Sequence, residues 1–477
     1  MSRTARNHHP AAAPGVPPPH RVSPHRLVRA AVALAAAGLL SAAVAGCSGG
    51  GGNGGSDTLT VTYQQFGDSK VQANFLKSVK TEFEKAHKGI TVDLQPISAS
   101  EDDYYTKLQL QMRSPQTSPD LVYEDTFLIN SDIEAGYLRP LDDHLKSWAD
   151  WDQFQPAAKK AAQALDGKTY GVPDGTDTRA LWYNKKLFAK AGLPTDWQPK
   201  TWDDVLAAAR AIKSKVPGVT PMNVYAGTGV GEAATMQGFE MLLYGTGDTL
   251  YDPETKKWVV GSQGFTDALT FLKTLQDEGL APSAKDQLAP TWSNTIPQQA
   301  LPKGKVAIAL DGSWVSLNWQ KGGAAEWPEW TSTMGTTAMP TQDGSGNGKV
   351  SLSGGWTWAI PKNSDNSSAA WDLMKMLGDK KHELAWATQN VQIPVRKDVA
   401  ADPSYAKANP TNEFFASLVP ITDYRPAYSV YPRISQEIQA ATESIVTGNA
   451  SPEEAAKQYD EQVKGIAGDD VTSASGS

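Results

Sequence analysis

The chain has 477 residues, a net charge of −8, 15 Trp against 11 Phe, and a single cysteine. One cysteine excludes an internal disulfide, and the acidic balance without a basic block argues against a nucleic-acid partner and against charge-driven docking on anionic lipid. A chain of this length exceeds one ordinary hydrophobic core and suits two domains.

The opening stretch is basic, with His25, Arg26 and Arg29, and leads into a small, apolar run from Ala30 to Leu40. That run is too short to span a bilayer comfortably and reads as the hydrophobic segment of a secretory signal. Val44-Ala45-Gly46 then precedes Cys47, a pattern that resembles a bacterial lipobox with cleavage after Gly46 and a diacylglyceryl group on the Cys47 thiol. Residues 1–46 are therefore expected to be a signal peptide. Residues 47–56, the lipidated cysteine and a glycine-rich run, are expected to form a tether whose reach is roughly 15 Å. Acyl chains contribute about 0.8 kcal/mol per buried CH₂, so two or more hold the protein stably. The expected location is the extracellular face of a bacterial cell membrane, with membrane contact through the lipid anchor.

The folded body starts near Asp57. "TLTVTY" alternates as a strand does, and Val71, Phe75, Leu76, Val79 and Phe83 recur at helical spacing. "ITVDLQP" and "PDLVYED" read as further strands separated by a helical stretch. Strands alternating with helices predict an α/β fold with open, mostly parallel sheets, whose ligands lie beyond the carboxyl ends of the strands. The loops after Tyr63 and Tyr123 are therefore candidate ligand loops. Thr201 with Asp204, and Ser451 with Pro452 and Glu454, mark helix starts, the second helix running to about Ile466. The tail "GDDVTSASGS" is predicted to fray, and "PTQDGSGNGKV" reads as a hairpin tip.

Several motifs resolve to plain structure. Gly46-Cys47-Ser48-Gly49-Gly50 matches a nucleophile pattern but follows no strand. Gly227-Thr228-Gly229-Val230-Gly231 lacks the order and the lysine of a phosphate loop. Asp343 to Gly348 opens like a calcium loop, yet Gly354 stands where the closing glutamate belongs. His87, His144 and His382 are scattered, which gives neither a zinc spacing nor a catalytic triad, so no metal, cofactor or catalytic residue is assigned. Abundant carboxylates keep a two-acid glycosidase open at this stage.

Three tryptophan-bearing stretches and one acid–base pair remain. "KGKVAIALDGSWVS" is a strand ending at Asp311, with Trp314 thrust off its end after a glycine turn. "SLSGGWTWAIPKNS" places Gly355 before Trp356 and Trp358, read as lying on opposite faces, one buried and one turned to a cleft. "VPDGTDTRALWYNKKLF" puts Asp177 and Arg179 on one face of an extended segment and Trp182 on the other.

In this order the fragments resemble the extracellular solute-binding lipoproteins of ABC sugar importers, the family 1 solute-binding proteins to which maltose-binding protein belongs. The similarity also runs through "SPDLVYEDTFLINSDIEAGYLRPLDD", "TWDDVLAAA" and "VQIPVRKDV". It implies a two-lobe periplasmic-binding-protein-like fold with the ligand between lobes at crossing strands. The lobes are expected at 57–177 with 333–390, and at 178–332 with 391–477. It further implies a carbohydrate ligand, an ABC permease as partner, a monomeric state and no enzymatic turnover. Carried over by position, the implied ligand residues are Gln65, Asp68, Glu124, Asp125, Asp177, Arg179, Gln237, Glu240, Trp292, Asp311, Trp314, Gly355, Trp356 and Arg396. Glu124 stands where maltose-binding protein has an aromatic, so the identity of the sugar does not transfer. A secreted glycoside hydrolase would use a similar cleft, whereas a surface adhesin would show a shallow platform.

Overall fold

The computed structural model describes residues 58–164 and 166–473. The expected signal segment, Cys47 and the expected tether lie outside the described residues. β1 (Thr58–Gln65) alternates as predicted and is followed by α1 (Val71–Ala86), which buries Phe75, Leu76, Val79 and Phe83. β2 (Thr91–Ser98), α2 (Glu101–Met112), β3 (Leu121–Asp125) and β4 (Gly171–Thr176) come next. Ser100 caps α2 by accepting from the Asp103 amide, which satisfies one of the orphan donors of the first turn.

β5 (Arg179–Asn184) and β6 (Thr220–Asn223) open a second sheet. β7 (Tyr251–Asp252), β8 (Lys257–Val260), β9 (Val306–Gly312), β10 (Met334–Thr337), β11 (Ser351–Ser353), β12 (Gly355–Ala359), β13 (Thr422–Tyr424) and β14 (Val471–Ser473) complete the strands. The first sheet runs β2-β1-β3-β12-β4 and the second β10-β5-β9-β6. Each departs from parallel pairing at the strand by which the chain enters from the other sheet. β12 is antiparallel to β3 and β4, and β5 is antiparallel to β9 and β10. One apolar cluster around Val61, Phe83, Tyr123 and Trp386 covers a face of the first sheet. Another around Trp182, Trp319, Ile296 and Phe415 backs the second.

Several expectations are corrected at this level. β10 hydrogen-bonds to β5, with Met334 opposite Asn184, so a first-lobe segment beginning at 333 would cut a strand out of the second sheet. Ile393 pairs with Thr176 and Arg396 with Phe154, so the chain after 391 still packs on the first sheet. The described part of the tail is paired and not frayed, because β14 pairs in parallel with β8 and the Trp258 amide donates to Asp470 O at 2.8 Å. Both Trp356 and Trp358 lie against Tyr123, on one face, as residues two apart in a strand must. The capping boxes at Thr201 and Ser451 form, and the second of these helices ends at Ala467.

Candidate functional site

Between β4 and β5 lie only Asp177 and Thr178, so the chain passes from one sheet to the other in two residues. Neighbouring segments fasten this crossing. The Ser351 hydroxyl accepts from the Arg179 amide at 3.0 Å and donates to its carbonyl at 2.8 Å, while Ser353 Oγ donates to Asp177 O at 2.9 Å. β11 in turn pairs with β13. Gly355 adopts φ +144°, and a Cβ there would sit 2.5 Å from Gly175 O, so this glycine permits close backbone approach.

The Asp177 and Arg179 side chains form an ion pair with each other, both at least nine-tenths buried. Asp177 Oδ1 also accepts from the Gly354 amide at 2.9 Å. Arg179 donates to Leu352 O at 3.3 Å and lies over the half-buried Trp314 ring, 4.8 Å from its centroid. The pair therefore ties the crossing strands together and reaches the wall on which Trp314 stands.

Beside it lies a second charged centre. Arg425, just past β13, donates to both Asp125 oxygens at 2.8 and 3.0 Å and to Glu232 at 3.1 Å, with its guanidinium 3.4 Å from the centroid of the Phe127 ring. Asp125 ends a strand of the first sheet, and Glu232 precedes a π-helical turn (Ala233–Phe239) packed on β9 of the second. One guanidinium thus joins carboxylates carried by the two halves of the molecule. Burial raises the Asp125 and Glu232 pKa values, and Arg425 opposes the rise. Burial by itself would lower that of Arg425, but the attraction of Asp125 and Glu232 wins and holds it protonated.

Aromatic groups flank these charges. Trp356 stacks on Tyr123 at 4.7 Å and meets the exposed Phe66 edge-on at 5.2 Å. Trp292 is half-buried, its indole N–H donating to Asn223 at 2.9 Å. A Cβ on Gly67 would sit 3.2 Å from Asn294 Oδ1, so the loop after β1 closes against the helix that carries Trp292. The structure thus gathers Asp125, Asp177, Arg179, Trp314 and Trp356 about the crossing strands, with Gly355 as backbone. A cavity of about 280 Å³ adjoins those strands, lined by Thr126, Thr176, Gly354 and Tyr424 next to the crossing and by the apolar Pro173, Ile393 and Val419.

Other residues expected in the site have different work. Gln65 turns its amide back onto Gly67 O and Ser69 O, and Asp68 stands exposed on the same loop. Glu124 is fully buried, pointing away from Asp125 because neighbours in a strand alternate; burial and the nearby Asp132 raise its pKa far above the ordinary value. Asp132, held by Gln109 at 2.8 Å, is raised to about 7, again by burial. Arg396 belongs to the first half, bound by Asp150, Asp398 and Gly378 O. Asp311 is taken up by Tyr225 O–H at 2.8 Å and the Gly312 amide at 2.7 Å, and burial moves its pKa to about 6. Gln237 sits half-buried on the π-helical turn.

Glu240 is fully buried and accepts from Tyr431 O–H at 2.8 Å. Burial first, then repulsion from Glu232, raises its pKa to about 8. An acid whose folded pKa exceeds its unfolded value holds its proton more tightly when folded, so its cost to stability grows as pH rises from the ordinary glutamate range to about 8. Glu240→Gln is therefore expected to be near neutral at pH 5 and to stabilise by roughly 2 to 4 kcal/mol at pH 8.5. Denaturant unfolding at the two pH values measures this; parallel pH slopes for the two proteins would refute it.

A sequence profile for bacterial extracellular solute-binding proteins matches residues 67–383, which is well over half of the chain. This chain is a bacterial extracellular solute-binding protein. A solute-binding protein of Thermotoga lettingae, solved with α-D-tagatose, is 28% identical, with TM-score 0.74 over 87% of this chain and all of its own. The GacH receptor of Streptomyces glaucescens, solved unliganded and with acarbose, is 25% identical, with TM-score 0.73 over 86% of this chain and 99% of its own. The galactooligosaccharide-binding protein of Bacillus subtilis is 23% identical over 407 residues, covering 83% of this chain and 88% of that one. The two-sheet body with crossing strands is accordingly the two-lobe fold of this family.

The sequence reading missed Glu101, Glu232 and Arg425. Glu101, in the first turn of α2, feels Asp125, Arg425 and Glu232 at once. No spacing signals residues 101, 125, 232 and 425 as a group, because only the crossing of the chain between lobes makes them neighbours.

Proposed function

We propose that this solute-binding protein captures a carbohydrate by closing its lobes and delivers it to the permease of an ABC importer. The observation that carries the reading is Arg425 bridging Asp125 and Glu232 beside Trp356 at the crossing strands. Carboxylates accept from sugar hydroxyls in charge-assisted hydrogen bonds worth roughly 1.5 to 3 kcal/mol each. Aromatic faces cover the C–H side of a pyranose, removing apolar area at about 25 cal/mol per Å². Relatives that bind tagatose, acarbose and galactooligosaccharide support the ligand class. Lobe closure follows from a ligand touching both halves, since such contacts favour the closed state.

In this reading Asp125, Glu232, Trp314, Trp356 and Arg425 form the ligand wall, and the Asp177–Arg179 pair ties the crossing strands beside it. The first lobe comprises 58–176 with 355–396, and the second 179–337 with 412–473. The mature protein is anchored through Cys47, acts as a monomer and leaves the sugar intact. Calorimetry against an oligosaccharide panel should show saturable binding, with the sugar recovered unchanged. Hydrolysed product would replace this reading by the glycoside hydrolase one.

A further inference from the structure

Among the described residues only two large aromatic rings stand exposed, Phe66 at 43% and Tyr424 at 46%. Tyr424 lines the cavity beside the crossing, and Phe66 stands on the loop after β1. A lone exposed apolar side chain is ordinary on a protein surface, so exposure alone assigns Phe66 nothing. Its placement does. The ring meets Trp356 edge-on, with centroids 5.2 Å apart and planes at 85°. Trp356 is the direct partner of Asp125 across the β3–β12 pair, so one indole separates Phe66 from the strand end that Arg425 holds. Trp356 itself is taken up in packing, with Tyr123, Tyr104 and Tyr105 about it at 4.7, 6.2 and 6.3 Å. Of this aromatic group, Phe66 presents the surface open to a ligand.

The loop that carries Phe66 is shaped in advance. Gln65 turns its amide onto Gly67 O and Ser69 O, and the Ser69 amide donates to Phe66 O at 3.2 Å, closing a turn. Gly67 holds the left-handed φ of +52° that this turn requires. Its bare Cα also lets the Asn294 amide approach, since a Cβ there would lie 3.2 Å from Oδ1. In the proposed division Gly67 belongs to the first lobe and Asn294 to the second, so the turn stands at the rim where one lobe comes up against the other. A ring on a fixed turn gives up little freedom on binding, and more of its contact energy survives as affinity.

We propose that Phe66 is a specificity-determining residue that stacks on the C–H face of a second sugar unit, the first lying over the Asp125–Arg425–Glu232 centre, so that the ligand is a pyranose oligosaccharide rather than a monosaccharide. The proposal rests on the carbohydrate-capture reading. Phe has neither the hydroxyl of Tyr nor the N–H of Trp, so it recognises the apolar face of a sugar and adds no hydrogen bond of its own. Covering it removes apolar area of both partners from water.

The test is calorimetry of the mature protein with mono-, di- and trisaccharides of the gluco and galacto series. The preferred disaccharide is expected to bind at least about tenfold more tightly than its monosaccharide. Phe66→Ala should weaken the disaccharide about tenfold while changing the monosaccharide less than about threefold. Phe66→Trp should stay within about threefold of the wild type, and Phe66→Leu, apolar but without a flat face, should fall between. The ligand-free melting temperature of Phe66→Ala should move by less than about 2 °C, because the ring is exposed. Monosaccharide binding as tight as that of the disaccharide, or a Phe66→Ala loss that is absent or equal for both lengths, would overturn the proposal while leaving carbohydrate capture standing. A melting temperature lowered by several degrees would instead make Phe66 a packing residue. If no carbohydrate of a broad panel binds or raises the melting temperature, the capture reading fails and this one with it.

Discussion

Arg425→Ala is expected to weaken sugar binding by about two to three orders of magnitude, measured calorimetrically. The guanidinium is 4% exposed by its side chain and joins Asp125 of one lobe to Glu232 of the other. Deleting one member of a buried ion pair leaves the remaining charge uncompensated, typically at a cost of about 3 to 5 kcal/mol. Here two carboxylates lose their partner, and the proposed lobe closure would hold them together without it. The cost therefore falls on the closed form, and binding weakens because the sugar must drive closure against that repulsion. Arg425→Lys keeps the charge but loses the forked geometry that reaches both carboxylates, so an intermediate loss is expected. Wild-type affinity in Arg425→Ala would show that the bridge plays no part in binding.

Asp177→Ala is expected to destabilise the protein itself. Asp177 is 7% exposed, pairs with Arg179 and accepts from the Gly354 amide. Removing it leaves the Arg179 guanidinium buried beside Leu352 O and Trp314 without its counter-ion, a loss of about 3 to 5 kcal/mol that should lower the melting temperature by several degrees. Asp177→Asn retains an acceptor for Gly354 and should recover part of the loss. Unfolding of the ligand-free protein measures this directly. If Asp177→Ala melts like the wild type and loses only sugar affinity, Asp177 is a ligand group and the strand tie is dispensable. The sequence alone suggested that second outcome, because an acid two residues from an arginine on one strand face looks free to meet a ligand until Gly354 and Leu352 are seen against it.

The alternation of β1, the helical spacing of α1 and the capping residues Thr201 and Ser451 were all legible, since each is a local pattern repeated at a fixed period. The crossing at Asp177 was legible through the resemblance, and the structure puts two residues between the sheets at that point. Glu124 and Glu240 were misassigned for a common reason. A carboxylate in an apolar stretch looks like a site, yet each is buried with its pKa raised, Glu124 beside Asp132 and Glu240 against Tyr431. Arg396 looked equally available, and the structure encloses it in Asp150, Asp398 and Gly378.

The sequence by itself determined the alternation of strand and helix and the family to which the chain belongs, because hydrophobic period, capping chemistry and ordered motifs are all written in neighbouring residues. Which charges meet was decided only by the tertiary structure. Glu101, Asp125, Glu232 and Arg425 come from a helix start, a strand end and two loops, and the chain must pass from one sheet to the other and back before they share one site. Electrostatic energy depends on distance in space and on burial, and neither quantity can be read from separation along the chain.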